Sequence, residues 1–467
     1  MSANAALVMK NAFLQKKYSL QGGNIMFCDI IKETLMASIS RTVSNLEQFV
    51  LHPGKDFTRN RKLPADKLIL FLISQGSSCT ANELMDFFDM DSSAPTIQAF
   101  FQQRAKLKPE ALEAVFRDFV QSACGLDSPR RYRFLAADGS TLTFARGSFP
   151  GPEEYHVSEG HSKKGFNSMH LNAFYDLDTC TYTDAVIQPV HGKDEFRAFC
   201  SMVDRSSTPE GTRTVFIGDR GYSSYNNMAH VIEKGQYFVF RTKDIHAKKG
   251  MTAGLGLPDL DTFDETVLVT ITRSHSKKIG ETAGIQRFVD KKTAFDYAEY
   301  KSLDTYTMKL RIVRFPISDT EHECLVTNLP EDDFPLEKLK KLYDRRWGIE
   351  SAFRKLKYTI GLSNYHSEKP EYVRQEVWAR LITYNITELI TAHVVLTNKG
   401  KKHVYKANFS CAAHICRVFL RPYMQERQMD VDGLIRKHVQ PVREGRRYKR
   451  LKTAHFRKPV YFIYRAA

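Results

Sequence analysis

No run of about 20 apolar residues occurs anywhere in this 467-residue chain, which excludes a membrane-spanning helix. The longest candidate, Lys67 to Ser74, is far too short. The first residues show no basic segment leading into a long apolar one, so no secretory signal is expected. Cysteine is sparse and scattered: Cys28, Cys79, Cys124, Cys180, Cys200, Cys324, Cys411 and Cys416, with no CxxC spacing. That pattern points to reduced thiols in a cytosolic protein, not to a disulfide framework or a zinc cluster. Neither a GxxxxGK[ST] phosphate loop nor an HExxH pair is present, which argues against ATP dependence and against a helical zinc site. There is no internal repeat.

What the chain has in excess is positive charge. Lys and Arg number 69 against 53 Asp and Glu, a net of +16. Between Lys401 and Ala467 the net is +13, leaving only +3 for the first 400 residues. So dense a basic segment implies a polyanionic partner, most simply nucleic acid, bound through phosphates with release of counterions. On charge alone, a solvated basic extension is the alternative. With 42% apolar and 26% charged residues the chain is neither disordered nor fibrous, and its length suggests two to four domains.

Residues 1–125 read as helical. Pro64 to Ser74 has a proline in its first turn, and Thr80 to Glu83 fits a capping box. A further helix from Pro95 would present Gln98, Gln102, Gln103, Arg104 and Lys106. Two short helices around a tight turn suit either a DNA-reading helix-turn-helix or an ordinary helical bundle. From about Arg130 the pattern turns to strands. Tyr132–Ala137, Met169–Tyr175, Thr183–Val190, Thr214–Gly218 and Tyr237–Arg241 are expected, with a helix to Lys234 before the last. The mixture predicts an α/β sheet. Residues 243–328 read as a β-rich insertion, with strands at Thr266–Thr272, Tyr306–Ile312 and His322–Asn328. Helix is expected from Leu336, then from about Pro370 to Thr397, with a helical, basic region over 371–467.

Asp138 is expected at a strand end, before a Gly-Ser-Thr turn, and Asp219 closes the strand Thr214–Gly218. Either alone suits a turn or a cap. Residues 343–357 add a third carboxylate. There Tyr343, Arg346, Glu350 and Lys357 fall on one helical face, with Trp347, Ile349 and Phe353 indicating that the helix packs. A carboxylate between phosphate-binding side chains is what metal-assisted phosphodiester chemistry needs. His170 and His191 stand isolated, and strand alternation sends His322, Glu323 and Cys324 to opposite faces.

The spacing Tyr-(2)-Arg-(3)-Glu-(6)-Lys resembles the signature of the DDE transposases of the insertion-sequence-four family. Asp138-Gly-Ser140, Asp219-Arg-Gly-Tyr222 and Thr327-Asn-Leu-Pro330 are similar to that family as well. The resemblance spans roughly Arg130 to His366. It implies a ribonuclease H-like catalytic core over 126–242 and 329–370, split by the β insertion. It implies catalytic Asp138, Asp219 and Glu350 holding two divalent ions, Mg²⁺ or Mn²⁺. It also implies cleavage at element ends and strand transfer by the freed 3′-hydroxyl, with a DNA hairpin as an intermediate left open. Arg346 and Lys357 would clamp phosphate, and Tyr343, Arg220, Tyr222, Arg345 and Trp347 would add DNA contacts, Trp347 being otherwise core. The implied partners are terminal inverted repeats, target DNA and a second copy of the chain, in a prokaryotic cytoplasm. A silent DNA-binding regulator and a nuclease that cleaves without joining are the competing readings.

Overall fold

The computed structural model describes residues 26–442, apart from 77, 125–129, 148–150, 160–161, 248–249, 280, 395, 397–403 and 426–427. The most basic stretch, 443–467, lies outside the described residues. Among the described residues no helix is long and apolar enough to cross a membrane.

Five helices come first: α1 (Phe27–Ser44), α2 (Ala65–Ser74), α3 (Thr80–Phe87), α4 (Ile97–Arg104) and α5 (Pro109–Cys124). In α1, Ile31, Leu35 and Ile39 recur every fourth residue and bury one stripe, as an amphipathic helix must. Helix α3 begins one residue earlier in register than a capping box at Thr80 requires. Cys79 is its N-cap, Thr80 makes no capping bond, and Glu83 Oε1 instead accepts the Ser78 amide at 2.8 Å. The recognition-helix reading of α4 also fails for two of its side chains. Gln103 and Arg104 are buried, and Arg104 donates to Gln375 Oε1 at 2.8 Å and Glu376 Oε1 at 3.0 Å.

The sheet is built from β1 (Tyr132–Ala145), β2 (His156–Glu159), β3 (Ser162–Asp176), β4 (Thr181–Pro189), β5 (Arg213–Gly218) and β6 (Tyr237–Thr242). It continues through β7 (Phe263–Thr272), β8 (Ile285–Phe288), β9 (Thr305–Pro316) and β10 (His322–Thr327). All ten strands form one mixed sheet, in the order β2-β3-β1-β5-β6-β10-β9-β7-β8 with β4 paired to β3. β1, β5 and β6 are parallel neighbours; β3 and β4 run antiparallel to their partners. Helices α6 (Glu195–Arg205) and α7 (Tyr225–Glu233) make the crossovers, α6 being absent from the sequence reading. Ser224 caps α7 by accepting the Asn227 amide at 3.1 Å. The strands after β6 do not fold apart: β10 pairs with β6, Cys324 opposite Thr242, so the insertion widens the same sheet.

Helices α8 (Leu336–Asp344) and α9 (Trp347–Arg354) follow, then a π turn at Lys355–Thr359 and the long α10 (Pro370–His393). Helix α10 is buried on nearly every side. Its Asn385 holds Tyr182 of β4 by both amide atoms, accepting from N at 2.8 Å and donating to O at 2.7 Å. One apolar cluster therefore runs from the N-terminal helices through α10 to one sheet face. A second fills the other face under α6 and α7.

Candidate active site

Asp138 and Asp219 reach one place from two parallel strands. β1 and β5 pair with Ala136 opposite Ile217, and two residues further along each chain stand Asp138 and Asp219. Side chains alternate across a sheet, so both follow the face that Ala136 and Ile217 bury. β1 does not stop at Asp138-Gly139, as the turn-forming pair suggested. Thr141 to Phe144 alternate between exposed or half-buried and buried positions, and the strand runs on to Ala145, paired with β3. Asp219 does end its strand, and its Oδ1 accepts the Gly221 amide at 2.8 Å. Open α/β sheets present ligands at such carboxyl ends.

Glu350 comes from α9, whose Ile349, Ala352 and Phe353 join Ala136 and Leu142 in one core. Gly348 lets the helix approach: a Cβ there would stand 3.2 Å from Leu177 Cδ2. Asp138 senses the other two carboxylates. Burial first, then the charges of Asp219 and Glu350, push Asp138 up to about 6, against the Gly139 amide and Arg346, which favour its charged form.

Arg346 is buried at the junction of α8 and α9. Its Nη2 donates to Glu350 Oε1 at 3.1 Å, and its guanidinium lies 4.8 Å from the Trp347 ring. Lys357, on the π turn, donates to the Thr141 carbonyl at 2.9 Å, beside Asp138; burial lowers its pKa while Asp138 raises it. A π turn inside a helix is rare and recurs at functional sites. The structure thus brings Asp138, Asp219, Glu350, Arg346 and Lys357 together.

Three further side chains behave otherwise than expected. Tyr222 is 3% exposed and packs on Phe199 beneath the site, so it offers no surface to DNA. Tyr343 is equally buried, under Arg346, with a hydroxyl that lacks a hydrogen-bond partner among the described residues. Arg345 is committed to Asp178 and the Leu177 carbonyl at the β3–β4 turn. Trp347, expected as a DNA contact or else as core, is 56% exposed and so is not core. Arg220 is exposed, as a DNA contact would need to be.

Behind Gly139 lies a cluster the sequence reading missed. Pairing of β1 with β3 sets Gly139 opposite Asn172 and Thr141 opposite His170. A Cβ at Gly139 would stand 2.3 Å from His170 Nε2, which itself lies 2.9 Å from Glu195 Oε1. No spacing announces this, because strand pairing alone creates it. Alternation does hold in β10: His322 meets Asp261 at 3.0 Å, Glu323 meets Arg241 at 3.1 Å, and Cys324 is buried.

As to a metal, among the described residues no group of three acidic, histidine or cysteine side chains surrounds a single point. The donor set is nonetheless all carboxylate oxygen, the chemistry hard divalent cations take. A divalent cation is also the counter-charge that would draw the proton from Asp138. The residues fit such an ion.

The family described as the transposase DDE domain matches residues 129–386. The transposase for insertion sequence element IS421 of Escherichia coli is 26% identical over 234 residues, covering 47% of this chain and 59% of that protein. The chain therefore spans somewhat over half the length of the curated relatives it matches. The transposase InsG for insertion sequence element IS4 of Escherichia coli (strain K12) is 42% identical over 55 residues, 11% of this chain and 12% of that protein. Among solved structures, a piggyBac transposase synaptic complex with hairpin DNA aligns at a TM-score of 0.46 and 10% identity, over 86% of this chain and 82% of that one.

Proposed function

This chain belongs to the transposase DDE domain family, and from that premise we propose that it is an insertion-sequence transposase of the insertion-sequence-four group, excising and joining DNA by cut-and-paste. The observation that carries the reading is that Asp138 and Asp219 share one sheet face within electrostatic reach of Glu350 on α9, with Arg346 and Lys357 beside them. The catalytic unit is a ribonuclease H-like core over 126–242 and 329–370, and 243–328 is its β-rich insertion. Of the flanking regions read as helical, 26–124 is helical and 371–442 is helical apart from a two-stranded sheet, Tyr405–Ala407 against Val439–Pro441, while 1–25 and the basic 443–467 lie outside the described residues.

Asp138, Asp219 and Glu350 would hold two divalent ions, Mg²⁺ or Mn²⁺. When bound, such a pair supplies an activated nucleophile at neutral pH and stabilises both attacking and leaving oxygens of an in-line displacement. The chain's own residues do the rest. Asp138 accepts the Gly139 amide and Asp219 the Gly221 amide, each at 2.8 Å, so the backbone fixes the carboxylates that would hold the ions. Arg346, restrained by Glu350, and Lys357, restrained by the Thr141 carbonyl, present cations where negative charge grows at the phosphate. Arg220 and Trp347 stand at the surface to meet the strands. The partners are the terminal inverted repeats, target DNA and a second copy of the chain in the synaptic complex, working in a prokaryotic cytoplasm.

The test is incubation with supercoiled DNA carrying the element ends, with Mg²⁺ or with EDTA. Excised and joined products, lost in Asp138→Asn, Asp219→Asn or Glu350→Gln, are expected. Binding without metal-dependent cleavage would make the chain a regulator, and cleavage without joining would make it a nuclease.

A further inference from the structure

Between Pro53 and Leu63 the chain carries four cations, Lys55, Arg59, Arg61 and Lys62, and a single acid, Asp56. The segment is pinned at both ends. The Leu51 amide donates to the Lys106 carbonyl at 2.9 Å and the Lys108 amide to the Phe49 carbonyl at 2.8 Å. At the far end, Lys62 Nζ donates to the Ser93 carbonyl at 2.6 Å. This fastening sets the loop against the α4–α5 connection and encloses a surface cavity of about 400 Å³. Lys55, Arg59, Arg61 and Lys106 line it, with Phe57 and Gln103, and its described lining includes no carboxylate.

The nearest acid is turned away. Asp56 Oδ2 accepts the His52 amide at 3.0 Å and stands 3.3 Å from His52 Nδ1. Phe57 sits in the left-handed region at φ 58, rare for a bulky residue, and its ring lies 5.7 Å from Lys106 Nζ. Several arginines elsewhere in this molecule are matched by carboxylates: Arg104 with Glu376, Arg117 and Arg205 with Asp184, Arg311 with Asp264, Arg314 with Asp244. Among the described residues, Lys55, Arg59 and Arg61 have no such ion pair. Lys55, Arg59 and Arg61 are exposed and so free to meet an anion, and planar guanidinium groups match phosphate oxygens two at a time.

We propose that this cavity docks the backbone of duplex DNA, binding phosphodiester groups and reading no bases. The proposal rests on the DNA-acting reading above, and it moves the N-terminal contact from the faces of α3 and α4 to the loop before α2.

The experiment uses the full chain, its Arg59→Gln/Arg61→Gln variant and its Arg59→Lys/Arg61→Lys variant. Binding to an element-end duplex and to a scrambled duplex is titrated across potassium chloride, with thermal melting as the folding control. Each phosphate contact contributes about one to the slope of log affinity against log salt. The glutamine variant should lose up to about 2 from that slope, equally on both duplexes, and the lysine variant should keep most of it. An unchanged slope in a glutamine variant that melts like the parent would overturn the proposal. So would a loss confined to the element-end duplex, which would mean base reading. Loss of inorganic phosphate binding with an unchanged DNA slope would assign the cavity to a small anion and also overturn it. A parent chain that neither binds nor cuts DNA would sink the proposed function itself; a parent that cuts DNA beside an unaffected variant sinks only this inference.

Discussion

Asp138 and Asp219 lie level on adjacent parallel strands, 81 positions apart in sequence and brought side by side by the register that pairs Ala136 with Ile217. Two carboxylates so placed repel, and Glu350 adds a third charge. The apo site is therefore destabilised by the arrangement that suits it to cations, a trade of stability for function that is common at active sites.

Burial of the charge, with this repulsion added, predicts the effect of Asp138→Asn. With its folded pKa raised to about 6, the wild-type aspartate favours the protonated folded state. Stability tied to this group is fully present below the ordinary carboxylate range and falls as pH rises through about 6. Metal-free Asp138→Asn at pH 7.5 should melt about 2–4 °C higher than the parent. Its metal-dependent cleavage should fall by about a hundredfold or more, since even outer-shell changes around metals cost 10–100-fold. A variant that melts lower would contradict the repulsion.

Metal binding should carry the same signature. A cation must displace the Asp138 proton, so affinity is steady above pH 6 and declines as pH falls below it, with proton release on binding. Calorimetric titration of the apo protein with Mn²⁺ in buffers of different ionisation heat reads this directly. Affinity that stays flat from pH 7 to pH 5 would remove Asp138 from the ligand set.

Much of this site was legible because its parts are local. The spacing from Tyr343 to Lys357 is a property of one helical face, and the runs leading into Asp138 and Asp219 announce themselves as strands by apolar, aromatic and β-branched residues. What was illegible depends on tertiary pairing. β1 overran the Asp-Gly pair because β3 offered it partners as far as Ala145. Arg104 looked like a surface reader of DNA because nothing near it in sequence shows that Gln375 and Glu376 will cover it. Tyr222 left its expected surface place for the core for a similar reason: which side of a short turn faces the core is set by packing on Phe199 of α6.

Gly139→Ala tests the contact behind the site. The added Cβ would meet His170 Nε2 at 2.3 Å and Asn172 Oδ1 at 3.3 Å, both on buried side chains. Overpacking of this kind costs about 1–3 kcal/mol and displaces the strand carrying Asp138. Activity should fall with stability, and His170→Ala in the same chain should recover part of both. Additive effects in that double-mutant cycle would show that the two residues do not touch.

A pH effect of the same sign, in a higher pH window, is expected away from the site. His230 bridges Asp204 at 2.7 Å and Asp296 at 2.9 Å, tying α7 to α6 and to the loop before β9. Burial lowers its pKa, but the two carboxylates outweigh burial and raise it overall. A raised folded pKa contributes stability that is fully present below the ordinary histidine value and is lost as pH rises through the folded one. Both carboxylates are more than half exposed, so solvent screening limits the effect to about 1 kcal/mol. His230→Gln should be less stable than the parent at pH 5.5 and nearly equal to it at pH 8.5. A gap that does not narrow with pH would mean that packing, not charge, is what His230 supplies.

Trp347 separates packing from DNA contact most cleanly, because the two readings predict different failures. A core tryptophan truncated to alanine costs about 3–5 kcal/mol. At 56% exposure, with Arg346 over its ring at 4.8 Å, Trp347→Ala should cost no more than about 0.5 kcal/mol, as exposed substitutions usually do. A base stacked on the ring would instead be worth about 1–3 kcal/mol in binding. The variant should therefore melt like the parent yet cut element-end DNA with a higher KM, and more so where the end is unpaired. If melting drops and KM does not move, the exposed ring is part of the fold and the neighbouring cations alone meet the strand.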